Sequence, residues 1–329
     1  MEDEMQSEVY NQSVCIMNAA VYMHYVEKKN MHQIAEILNI SASTVSRLLK
    51  RALDENVVKF EIEPNFLECT ELATIIRKKS GLREVLVVPV LSDTNSGTAL
   101  TVKKMVALEG ARYIQRIITD DDIIGLTWGG TMYHLIQYLN PCRKANAKVI
   151  TMHGSIANCD EKLAVDTLVR RAAMAFGGKN VSICRNGLFD RPEDYELLRS
   201  TEIYRKMTTL FENINISISG VGLLYPTTTT LLASTNYLKP EEFQELLSQH
   251  AYADIMLRFI DKNGCECNTS MKQRTFSIDL ETYKKIPLKI IVASGIEKGP
   301  AIQALINGKL LDVLIIDQKL AKLLAFPIS

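Results

Sequence analysis

Between residues 84 and 316, short β-branched runs take turns with amphipathic helical stretches, and this alternation narrows the possible folds more than any other feature of the chain. Glu84 to Val88, Ile123 to Thr127, Lys148 to Met152, Ile214 to Ser219, Ile255 to Phe259, Lys289 to Ala293 and Val313 to Ile316 read as strands. Leu100 to Ile118, Thr131 to Leu139, Lys162 to Phe176 and Lys298 to Ile306 read as helices. Strands joined by helical crossovers pair in parallel and are covered on both faces, so an α/β, doubly wound, mostly parallel, Rossmann-like sheet is expected over 81–329. Ligands of such sheets bind at the carboxyl ends of the strands, which directs attention to the strand-to-helix loops.

Four loops stand out. Thr127-Trp128-Gly129-Gly130-Thr131 joins a strand to a helix; its glycines permit close backbone approach, and the helix start offers free amides to an anion, although such glycine pairs also serve as packing devices. Met152-His153-Gly154-Ser155 follows the next strand, with Ser155 a hydroxyl donor for the same ligand and His153 read as a satisfied loop histidine. Ser219-Gly220-Val221-Gly222 follows a third strand. In the fourth, Ala293 to Lys298, a lysine opens a helix, which the helix dipole disfavours; an anion beside it relieves this, although a solvated lysine also tolerates it. Asp254 and Arg258 flank the Ile255 strand and read as structural or rim residues, and Thr227 to Thr230 as hydroxyls near the pocket or, more simply, as a capped turn.

The first 64 residues have another pattern. Ile16, Ala19, Ala20, Met23 and Val26 form a helical stripe. Met31 to Leu38 is a short helix with Ile34, Ile37 and Leu38 inward; Asn39 suits a left-handed turn; Ser41 caps a helix from Ala42 to Leu53 whose inward residues are Val45, Leu48, Leu49 and Ala52. Two helices so closely joined make a helix-turn-helix, and alternating Val57 to Ile62 reads as a strand of a wing. The outward face of the second helix carries Ser43, Thr44, Ser46, Arg47, Lys50 and Arg51, groups that donate to phosphates and base edges. With the cap Ser41 these are the expected operator-DNA contacts. Residues 24–64 hold six basic and six acidic side chains, yet 37–53 hold three basic and none acidic. Such segregation lets a neutral domain dock on a duplex while non-specific affinity stays low.

Composition excludes several classes. Lys plus Arg number 38 against 38 Asp plus Glu, which argues against an indiscriminate polycation but leaves a segregated face possible. Hydrophobic residues at 47% and charged residues at 23% are too apolar for a disordered chain and too charged for a membrane bundle. No apolar run approaches membrane-spanning length, and Met1 to Glu4 is acidic where a signal peptide is basic, so a cytoplasmic protein with no membrane partner is expected. The seven cysteines are scattered; Cys265 and Cys267 lack the further ligands zinc requires, so reduced thiols and neither metal nor cofactor are expected.

The segment from His32 to Lys50, followed by Ile124 to Thr131, Gly220-Val221-Gly222, Gly295-Ile296-Glu297-Lys298 and Asp312 to Asp317, resembles the SorC family of bacterial sugar-responsive transcriptional regulators. The resemblance spans essentially the whole chain. It implies a winged-helix-like DNA-binding domain (1–64), a linker helix (65–80) and an effector and oligomerisation domain (81–329) similar to glucosamine-6-phosphate deaminase and ribose-5-phosphate isomerase. It further implies a homodimer or homotetramer that represses carbohydrate genes and whose operator binding responds to a sugar phosphate or polyol phosphate. Effector contacts implied by it are Trp128, Gly129, Gly130, Thr131, Gly154, Ser155, Glu297 and Lys298. The family pattern is departed from at Asn39, Ala42 and His153. A sugar-phosphate isomerase or deaminase is the rival reading; it needs a positioned acid or base, and none of His134, His153 and His250 sits beside an obvious carboxylate partner, although Asp160 and Glu161 follow His153 closely. A constitutive DNA-binding scaffold, the other rival, has no need of convergent glycine loops.

Overall fold

The structure, a computed structural model, describes residues 13–90, 98–183, 186–234 and 237–326; the acidic Met1 to Glu4 and Cys184 lie outside them. The chain divides into two compact units, 1–63 and 64–329.

In the first unit, α1 (Val14–Val21) begins at Ser13, whose hydroxyl accepts the Ile16 N–H, and runs into a π turn, Tyr22–Val26. A reciprocal capping box between Asn30 and Gln33 opens α2 (Met31–Leu38). Asn39 then takes the left-handed conformation (φ 52°, ψ 47°) that ends α2, and Ser41 accepts the Thr44 N–H to start α3 (Ala42–Asp54). Ala20, Ile34, Val45 and Leu49 close one side of the core and Met17, Leu48 and Ala52 the other. Ile37, expected inward, is instead 53% exposed. The expected wing strand does not form either. Residues 57–62 are irregular, with Phe60 and Ile62 exposed, because no strand among the described residues of this unit offers them a ladder.

The second unit opens with α4 (Pro64–Ser80), expected as a linker; it packs Leu72 and Ile76 into the core of its own unit. The main sheet runs in the order β1 (Glu84–Val88), β10 (Val313–Asp317), β9 (Leu288–Ala293), β5 (Ile216–Ser219), β2 (Ile123–Leu126), β3 (Lys148–Thr151), β4 (Lys179–Val181). Every neighbouring pair is parallel. Side chains alternate between faces: Ile290 and Val292 meet α5 (Ala99–Ile117), α6 (Gly130–Gln137) and α7 (Val165–Phe176). Ile291 and Ala293 face α4, α8 (Pro192–Arg199), α9 (Glu202–Glu212), α12 (Gly299–Asn307) and α13 (Gln318–Ala325). From β2 the chain moves outward to β3 and β4, then returns to the opposite flank of β2 with β5 and continues to β9 and β10. The strand order therefore reverses between β2 and β5, which is where such sheets open a crevice.

A small antiparallel sheet lies beyond β5: β6 (Gly222–Leu223), β7 (Ala253–Ile255) and β8 (Arg258–Ile260), flanked by α10 (Pro240–Ser248) and α11 (Leu280–Lys284). The single strand expected from Ile255 to Phe259 is thus two strands, joined at Met256 and Leu257, which have φ of 57° and 62°. Two left-handed residues turn a hairpin with the twist its strands require. Arg258 anchors the hairpin structurally, donating to the carbonyls of Ile278 (3.2 Å) and Ser277 (3.0 Å) and pairing with Glu266.

Candidate functional site

A cavity of about 170 Å³ opens at the carboxyl ends of β2, β5 and β9. Its floor is the start of α6. Gly129 has φ 114° and ψ 171°, a conformation closed to side-chain-bearing residues, and this bend aims the first turn of α6, Gly130 and Thr131, at the cavity. Lys103 reaches in from α5; its Nζ would lie 3.9 Å from a Cβ on Gly130. Lys298 is the residue from which α12 starts, and its Nζ donates to Thr229 Oγ1 at 2.9 Å. Burial, together with the Lys103 charge, pulls this ammonium down to about 8 against the opposing pull of Glu297 and Asp254. Gly295 has φ 100°, and the Glu297 carboxylate fills the space its missing Cβ leaves.

Asp254 faces these cations. It is 5% exposed; its Oδ2 accepts from Thr230 Oγ1 at 3.1 Å while Oδ1 has no hydrogen-bond partner. Burial pushes its carboxyl up to about 6, with the Thr230 hydroxyl, the Lys298 charge and the Leu257 backbone N–H pulling the other way. A buried carboxylate acceptor is costly without donors, so Asp254 is suited to accept from a hydroxyl, whereas Lys103 and Lys298 suit an anion. Between them Ser219 donates to the Gly220 carbonyl (2.7 Å), which leaves Thr127 Oγ1 to donate to Ser219 Oγ (3.1 Å).

Of the effector contacts expected from sequence, the structure gathers Trp128, Gly129, Gly130, Thr131, Glu297 and Lys298 around this cavity. Gly154 and Ser155 are not among its lining residues. Gly154 N–H donates to the Phe276 carbonyl, Ser155 Oγ donates to Asp166 Oδ2, and bridges from His153 to Ser277 and from Ser155 to Asn186 tie that loop to those two segments instead. Thr229 and Thr230, whose run reads from sequence as pocket hydroxyls or a capped turn, line the cavity, and Lys103 and Asp254 line it without having been expected there. The threonine run is a visible signal; Lys103 lies in an ordinary amphipathic helix that carries none.

On α3, Ser43, Ser46, Arg47 and Lys50 are exposed. Thr44, expected outward, is buried; its Oγ1 lies 2.8 Å from Ser41 Oγ and accepts from Arg47 at 3.3 Å, so it braces the helix start and the arginine. Arg51 is half-buried and pairs with Glu55 one turn on. Among the described residues no helix is long and apolar enough to cross a membrane, and no group of three or more His, Cys, Asp or Glu is placed to hold a metal ion.

A helix-turn-helix joined to a doubly wound unit with a polar cavity at its switch point is the architecture of a transcriptional regulator. Residues 64–325 match the family described as "Putative sugar-binding domain", and residues 18–55 match "Sigma-70, region 4". The Deoxyribonucleoside regulator of Bacillus subtilis (strain 168) is 30% identical over 305 residues, covering 93% of this chain and 95% of the relative. The Sorbitol operon regulator of Klebsiella pneumoniae is 26% identical over 310 residues, covering 92% and 95%. The crystal structure of full-length SorC from Klebsiella pneumoniae superposes with a TM-score of 0.72 at 23% identity, covering 95% of this chain and 100% of that one, a likeness of fold. The chain belongs to this family of SorC-type sugar-binding regulators; it is a transcriptional regulator with a DNA-binding helix-turn-helix, and its relatives give no support to the isomerase or deaminase reading.

Proposed function

We propose that this regulator is a cytoplasmic repressor that binds operator DNA through Ser41, Ser43, Ser46, Arg47 and Lys50, and that a sugar phosphate or polyol phosphate in the β2–β5–β9 cavity alters that binding. The observation that carries the effector reading is the facing of Lys103, Lys298 and the start of α6 against Asp254, whose buried Oδ1 is unpartnered. Cations and free amides complement a phosphate, and a carboxylate acceptor complements the hydroxyls of the attached polyol. The names of the relatives, one for deoxyribonucleosides and one for sorbitol, favour a pentose or hexitol phosphate. Helix-turn-helix proteins read paired half-sites as symmetric oligomers, which supports a homodimer or homotetramer, and the effector changes how its two recognition helices match the site.

The test is a thermal-shift screen of the full chain against pentose phosphates, hexitol phosphates and the same sugars without phosphate. A ligand that binds only the folded state raises the melting temperature, by about 5 °C at a hundredfold excess over Kd. Stabilisation by phosphorylated members alone, without turnover by mass spectrometry, supports the reading. Equal stabilisation by the free sugars, or product formation, contradicts it.

A further inference from the structure

His153 has no exposed surface and lies outside the cavity lining, yet both its ring nitrogens are engaged. Nδ1 lies 2.7 Å from the Gly154 carbonyl oxygen and Nε2 lies 3.3 Å from the Trp128 backbone nitrogen. These partners fix the proton. A carbonyl only accepts and a backbone N–H only donates, so Nδ1 carries the hydrogen and Nε2 offers its lone pair. The ring stands on a fixed base: Ile278 N–H donates to the Met152 carbonyl, Gly154 N–H donates to the Phe276 carbonyl, and His153 bridges Ser277. Its far end holds the residue immediately before Gly129, the glycine whose φ of 114° aims the start of α6 into the cavity. Of the other amides of this loop, Gly129 N–H makes only a 3.4 Å contact to the Leu163 carbonyl.

We infer that His153 is a positioning residue for effector binding: as a neutral imidazole protonated on Nδ1, it holds the Trp128 amide and thereby sets where the amides of Gly130 and Thr131 meet a ligand's phosphate. This rests on the phosphate reading of the cavity. A protonated ring would lose the acceptor that Trp128 needs and turn it into a second donor. Burial guards against this by pulling the imidazole down to about 4, so the contact persists throughout the neutral range.

The experiment uses the full chain and inorganic phosphate as probe, followed through the fluorescence of Trp128, the protein's single tryptophan, which borders the cavity. His153→Gln places an amide oxygen near the Nε2 position and keeps an acceptor for Trp128; His153→Asn retains a donor to Gly154 but stops short of Trp128. The expected result is phosphate affinity within about threefold of wild type for His153→Gln and about tenfold weaker for His153→Asn, the size of one neutral hydrogen bond. Rescue by glutamine separates positioning from packing, since neither variant restores the ring. Long-range ¹H–¹⁵N correlation on the wild type, independent of any variant's folding, is expected to show His153 as the Nδ1–H tautomer from pH 5 to 8. Equal phosphate affinity for His153→Asn and wild type, or an Nε2–H tautomer, overturns the inference while leaving the phosphate reading intact. A wild type that does not respond to phosphate at all overturns that reading and this inference with it.

Discussion

On α3, Arg47 and Lys50 stand in solvent, whereas in the cavity Lys298 is crowded by Lys103, Glu297 and Asp254 and its ammonium is pulled down to about 8 by burial. Exposed cations act on DNA mainly by displacing its counterions, so their contribution weakens steeply with salt. A partly buried lysine is little screened, but its charge is close to being lost near neutral pH. On this account the two halves of one regulator answer to different variables, operator binding to ionic strength and effector binding to pH, and the difference offers a way to take them apart.

The sharpest separation comes from Lys298→Ala, which removes both a cavity charge and the contact to Thr229. Affinity for the sugar phosphate should fall about a hundredfold, as expected for a charged hydrogen bond, while operator binding without ligand is unchanged; calorimetry and fluorescence anisotropy read the two. The reciprocal variant, Arg47→Ala, should weaken operator binding by about tenfold to a hundredfold and leave the ligand-induced thermal shift as it is. If either variant damages both activities equally, the division of labour fails.

A smaller effect follows from pH alone. Lys298 passes from mostly charged at pH 7 to mostly neutral at pH 9, so effector affinity should drop by about tenfold over that interval. Operator affinity of the ligand-free protein at constant salt should change little by comparison, since Lys298 takes no part in the proposed operator contacts.

The smallest net effect appears in stability, where two opposing slopes nearly cancel in the wild type. His153 is lowered from 6.5 to about 4, so the unfolded chain binds more protons and stability is lost as pH falls through that window. Asp254 is raised from 3.8 to about 6, so the native state binds more protons and stability is lost as pH rises through its window. Each amounts to about 3 kcal/mol at most, and the slopes oppose one another. Chemical denaturation of Asp254→Asn between pH 4 and 7 should therefore uncover the His153 slope and give a more stable protein at pH 7 that no longer responds to effector. A variant less stable than wild type at pH 7 would show that Asp254 is a structural acceptor.

What was legible in the sequence was local. Asn39 turns left-handed and Ser41 caps α3 because each decision involves only a few neighbouring residues, and the same holds for the bend at Gly129. Val45, Leu48, Leu49 and Ala52 are buried as their spacing demands. Pairing was less visible: 57–62 alternates like a strand but lacks a neighbour, and Ile255 to Phe259 looks like one strand because nothing in its composition announces the left-handed turn at Met256 and Leu257. The rest of the candidate site was hidden for the same reason. Lys103, Thr229 and Asp254 converge from a helix, a strap and a hairpin far apart in the chain, and only the sheet order brings them together. His153 did read as a satisfied histidine, but the sequence carries no sign that one of its partners is Trp128.

The central claim is that occupancy of the cavity changes what α3 does on DNA. An operator duplex selected from a random pool, titrated by fluorescence anisotropy with and without the sugar phosphate found in the thermal-shift screen, measures this directly, with Trp128 fluorescence verifying that the cavity is filled. The account predicts a change in operator affinity of about 5-fold to 150-fold, the usual range of coupling between two sites, absent in Lys298→Ala. Equal operator affinity with the cavity empty and demonstrably filled would contradict it.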